Sequence, residues 1–123
     1  MSRLRRIHPD PDARAAEVRA QLGPEGQRAA AERELRAAAA RGAARAELRS
    51  VGWLGADPGE LDVCAVEVLM ILGADGTDAD IARYLYACVR GDGGPPVPDA
   101  ALLGAAGRLR AAVARAWAGA PAA

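Results

Sequence analysis

The stretch "VEVLMILGADGTDADIARYL", Val66 to Leu85, contains the end of one helix and the start of another, and the reading of the turn between them decides the fold. Upstream, Asp57 is the expected N-cap of the first helix, with Pro58 at its first position and Glu60 placed to reach back as in a capping box. From Leu61 to Leu72 that helix is apolar nearly all round. Such a pattern predicts a central helix, buried on most sides and stopped by Gly73. Downstream, Thr77 is the expected N-cap, Asp80 the third helical residue, and Gly91 the residue just past the end. Ile81, Leu85, Cys88 and Val89 fall on one face of this second helix.

The aspartates at 75, 78 and 80 invite a calcium reading, which fails on spacing. With Ile81 at the eighth loop position, Ala74 and Gly76 occupy ligand positions. Ala79 then stands at the required glycine, and Leu85 at the bidentate glutamate. Negative charge at a helix N-terminus explains the aspartates better, because the exposed N–H groups there favour it.

Outward from this pair of helices the chain reads as helix throughout, with no strand alternation. "DPDARAAEVRAQLG" begins at Asp10 as N-cap and ends at Gly23-Pro24. "EGQRAAAERELRAAAARGAARAELRSV" is a strong helix by propensity, with an alanine face and a basic ridge at Arg41, Arg45 and Arg49. "GDGGPPVP" is an open connection. "DAALLGAAGRLRAAVARAWAG" then carries an apolar seam at Leu102, Ala106, Leu109, Val113 and Trp117, with Gly104 and Gly107 either merely tolerated or marking a close helix–helix approach.

The expected fold is therefore all-α: a small bundle of three core helices (about 58–72, 78–90 and 98–118) preceded by one or two Ala/Arg-rich helices. The large apolar residues concentrate after residue 50. This suggests a basic N-terminal helical arm over 1–50, a compact core over 51–118 and a tail over 119–123. Phenylalanine, lysine and asparagine are absent, as in a chain from a GC-rich genome, so the abundance of arginine is not by itself a sign of arginine chemistry. Sixteen basic and sixteen acidic residues balance overall but are segregated: basic, acidic in the middle, then basic again.

Most catalytic chemistries lack their residues. His8 is the only histidine, and one His with two distant cysteines matches no zinc spacing. No lysine follows the glycine-rich loop, so no phosphate cradle exists. Cys64 and Cys88 sit in apolar surroundings that predict packing. No enzyme activity, cofactor or metal is expected. No signal peptide or membrane span is read, so a cytoplasmic location is the default expectation. Glu67, alone in an apolar helix, is expected to be partly buried and paired with an arginine, Arg83 or one from the last helix.

The helix–turn–helix of Val66–Leu85 resembles the first half of winged-helix DNA-binding domains: an apolar helix, a short Gly turn, then a capped helix of type T-x-x-x-I-A-x-x-L. The resemblance would make Pro98–Val113 the recognition helix, with Arg108, Arg110 and Arg115, and the ridge Arg41, Arg45 and Arg49, against nucleic acid. That helix departs from the pattern. Its first turns offer Asp99, Ala100, Ala101 and Gly104 where base-reading side chains belong, and no wing follows. The leading expectation is a non-catalytic interaction protein acting through protein–protein contacts, as a homodimer or a subunit of a larger assembly. Trp53, Leu102, Leu109, Val113 and Trp117 are its candidate contact residues. A DNA-binding regulator is the alternative. A small-molecule sensor with Glu67, Tyr84 and Tyr86 lining its pocket is the third reading.

Overall fold

A computed structural model describes residues 10–55, 57–91, 93–94 and 96–120. His8, most of the arm's first ten residues and the last three of the tail lie outside them. The described chain is all-helical: α1 (Pro11–Gln21), α2 (Pro24–Ser50), α3 (Pro58–Gly73), α4 (Asp78–Gly91) and α5 (Asp99–Gly119). It divides into two units. One runs to Leu35 and contains α1. The other, Arg36–Ala120, holds the second half of α2 with α3, α4 and α5. In the first, Asp10 caps α1 by accepting from the Asp12 N–H at 3.0 Å, as the Asp-Pro start predicts.

The core belongs to the second unit. Along α2, Ala40, Ala44 and Leu48 are buried at steps of four, one stripe of one helix face. The largest fully buried side chains are Leu48, Leu61, Val68, Ile81, Leu85 and Leu109, one or two from each of the four helix segments. Helices α4 and α5 form the most closely packed pair. Ala105 and Ala106 are completely buried there, and their single methyl groups let the backbones approach. Gly104 and Gly107 are not what permits this. A Cβ on Gly107 would meet only the Asp78 carboxylate at 3.8 Å, and one on Gly104 only the flexible Arg108 guanidinium at 3.4 Å.

The caps decide where the helices begin and end. Asp57 accepts from the Gly59 N–H at 2.8 Å and starts α3. Thr77 and Asp80 form a reciprocal box: the Asp80 N–H donates to the Thr77 hydroxyl at 3.2 Å, and the Thr77 N–H to the Asp80 carboxylate at 2.8 Å. The backbone and hydroxyl of Thr77, then Arg83, hold the Asp80 carboxyl below the usual carboxylate value.

The two stops share one geometry, and one of them corrects the sequence reading. Gly73 is the last residue of α3, as expected, and beyond it the left-handed residue is Asp75 (φ 59°), followed by Gly76, whose N–H donates to the Ile71 carbonyl at 2.8 Å. Gly91, expected just past the end of α4, is instead its last residue; the left-handed residue is Gly93 (φ 73°), followed by Gly94, whose N–H donates to the Val89 carbonyl at 2.9 Å. Both ends are Schellman motifs with a second bond from the left-handed residue, Asp75 to Leu72 and Gly93 to Arg90, each at 3.1 Å. In both, the 6→1 bond closes the last turn.

Arg110 of α5 then fastens the α3–α4 turn. Its Nε donates to the Asp78 carboxylate and its Nη2 to the Gly76 carbonyl, both at 2.8 Å. An arginine is suited to this because its planar fork serves two acceptors at once.

Candidate functional site

Helix α3 supplies the first unusual surface. A helix apolar on all sides should be buried on most of them, but only Leu61, Cys64, Ala65 and Val68 are. Val63 (60 % exposed), Val66 (42 %) and Met70 (62 %) face solvent at spacings of three and four, a stripe over two turns. The expectation of a helix buried on most sides therefore holds only for the face that carries Leu61, Cys64, Ala65 and Val68, and the face that carries Val63, Val66 and Met70 is open. Arg45 on α2 reaches the flank of α3, where its guanidinium meets the Asp62 carboxylate at 2.6 Å.

Beside the stripe lies a groove of about 440 Å³, formed by the start of α3, the end of α4 and the segment before Asp57. Leu54, Leu61 and Val63 give it apolar walls, and Asp57 and Glu60 stand among its polar lining. Three chemically active side chains also line it. The Cys64 and Cys88 sulfurs, both reduced thiols, are 3.9 Å apart. Tyr84 lines the groove with them. Burial first, then the neighbouring Cys88 and Cys64 thiols, push its phenol well above the ordinary tyrosine value.

The residues singled out from sequence are placed as follows. Leu102 and Leu109 are core, buried under α4, and do not form a contact surface. Val113 and Trp53 are partly buried and pack on that core, while Trp117 is 41 % exposed near the end of α5. Arg83 is exposed and pairs with Asp80 one turn earlier on its own helix. The expected Glu67–Arg83 pair is absent because Arg83, two residues from both Ile81 and Leu85, points about 200° away from the buried face. Glu67 is half-buried on α3, and no charged residue is fully buried among the described residues.

Of the arginines weighed for nucleic acid, Arg110 holds the turn and Arg45 pairs with Asp62. Arg108 lies 4.0 Å from Glu47. Arg41, Arg49 and Arg115 are exposed. Tyr84 and Tyr86 do not line one pocket. Tyr84 faces the thiol groove, whereas Tyr86 borders a separate depression of about 650 Å³ with Val97, Leu102 and Leu103.

Sequence reasoning missed the meeting of the two cysteines and the open side of α3. The first had a signal. Cys64 and Cys88 lie twelve residues before and after Gly76, so a helical hairpin turning there brings them level. The second had none, since an apolar helix reads the same whether its last face meets its own chain or another.

No protein-family model, curated protein or solved structure matches the chain. Among the described residues no helix is long and apolar enough to cross a membrane, and no group of three His, Cys, Asp or Glu could hold a metal ion.

Proposed function

We propose that the chain is a small non-catalytic interaction protein that works by self-association, with the outer face of α3 as the contact between copies. The observation that carries this reading is the exposed stripe Val63, Val66 and Met70 on a helix already buried on its opposite side. Isolated exposed apolar residues are ordinary, but an aligned set of three with an apolar groove at its edge favours a protein contact. Val63 belongs to both the stripe and the groove wall, so the two form one continuous apolar surface. A second copy is the favoured occupant because the chain is balanced at zero net charge with its basic and acidic segments segregated. It therefore carries no overall self-repulsion and has opposite charges to offer itself.

Sedimentation equilibrium tests this. The wild-type chain is expected to sediment at twice its 12.6 kDa at micromolar concentration, and Met70→Glu at the monomer mass with unchanged helicity. A wild-type monomer at every concentration overturns self-association. A dimer untouched by Met70→Glu overturns the assignment to α3.

A further inference from the structure

We propose that Cys64 and Cys88 are a redox-active pair that closes to an intramolecular disulfide across the α3–α4 hairpin, with small-molecule disulfides such as oxidised glutathione as the oxidising substrate. The inference does not depend on self-association. It rests on placement. The two sulfurs come from facing helices, stand 3.9 Å apart and line the same open groove. Cys88 is half-buried and Cys64 more deeply placed, so a molecule entering the groove meets one thiol with the other directly behind it.

Bond formation brings the sulfurs to about 2.05 Å. Each must then move roughly 1 Å, within reach of cysteine's single χ rotation plus a small helix adjustment. A structural zinc is not the alternative, because the pair has no third ligand among the described residues.

The chemistry balances with the named oxidant. Cys88 gives its proton to water and its thiolate attacks one sulfur of the small disulfide. This forms a mixed disulfide and expels one small thiolate. Cys64 then loses its proton, attacks the Cys88 sulfur and expels the second thiolate, and the two leaving thiolates take up the two protons. Two protein thiols are oxidised to one disulfide, and one small disulfide is reduced to two thiols.

The test uses the whole chain, reduced, freed of reductant and equilibrated in glutathione buffers of rising oxidised-to-reduced ratio. After an acid quench, remaining thiols are alkylated and the intact mass is read. The expected result is loss of both alkylation sites together, with no mixed disulfide accumulating and the monomer lighter by about 2 Da, the two hydrogens removed. Cys64→Ser is expected to stop at a glutathione adduct on Cys88 that the wild type does not accumulate. The near-isosteric Cys88→Ser should show neither product at the bridge. The proposal is overturned if the wild type keeps both thiols at the most oxidising ratio, if it accumulates an unresolved adduct, or if the bridge forms between chains.

Discussion

Gly76 and Gly73 stand three residues apart in one turn, and the structure assigns their replacement by alanine opposite signs. A Cβ on Gly76 would lie 2.3 Å from the Ile71 Cγ2 and 2.7 Å from the Ile71 carbonyl oxygen, where carbon contacts normally fall at about 3.5–4.0 Å. The methyl cannot swing clear cheaply, because a β-branched side chain in a helix has little χ1 freedom. Nor can the carbonyl retreat, since it accepts the Gly76 N–H that closes the Schellman motif. Relief must cost either that hydrogen bond or a shift of the turn that Arg110 holds. Overpacking of about 1–3 kcal/mol with part of a hydrogen bond of about 1 kcal/mol gives roughly 2–3 kcal/mol of destabilisation for Gly76→Ala. At about 4–8 °C per kcal/mol for a unit of this size, Tm should fall by roughly 10–20 °C. Gly73 has no atom within 4 Å of its Cβ position, so Gly73→Ala should gain up to about 1 kcal/mol of helix propensity. Urea titration followed by far-UV circular dichroism measures both. Gly76→Ala within about 0.5 kcal/mol of wild type, or less harmful than Gly73→Ala, would refute the reasoning.

The other predictions concern the core, the clamp and pH. Leu85→Ala removes a fully buried side chain between α4 and its neighbours and should cost about 2–5 kcal/mol in the same urea assay, the range depending on how far the cavity collapses. Arg110→Met keeps the aliphatic stem and removes two bonds to the turn. Its side chain is half-exposed, so a loss near 1 kcal/mol, smaller at high salt, is expected by thermal melting at two ionic strengths. Tyr84 holds its proton more tightly in the folded chain than in the unfolded one. Its contribution is therefore present below pH of about 10, where the unfolded phenol titrates, and declines as pH rises beyond that. Stability measured from pH 8 to 11 should fall more steeply for wild type than for Tyr84→Phe; equal slopes would contradict the burial described for this phenol.

Local sequence was sufficient wherever a feature depends on local chemistry. All five helices, the Asp57 and Thr77 caps and the amphipathic face of α4 follow from propensity, period and capping, which act within a turn or two. Gly91 was misplaced just past α4 because a Schellman motif needs its left-handed residue at a distance set by backbone bonds. After α3, Asp75 fills that role despite its side chain, and only Gly76 reveals the geometry. The contact surface was harder still. Leu102, Leu109 and Trp117 lie on one seam of α5, yet the first two are core and the last is exposed, since burial along a seam ends where the neighbouring helix ends. Val63, Val66 and Met70 looked like core for the complementary reason: hydrophobicity records that a side chain prefers to be covered, not which molecule covers it. The thiol pair was legible only with the hairpin already folded about Gly76.

The most direct test of the account is an isotope-filtered nuclear Overhauser experiment on a mixture of carbon-13-labelled and unlabelled chains, which reports only contacts between copies. Self-association through α3 predicts intermolecular cross-peaks from the Met70 methyl and from the methyls of Val63 and Val66. Cross-peaks confined to Leu103, Tyr86 and Trp117, or none at a concentration well above that of the cell, would contradict it.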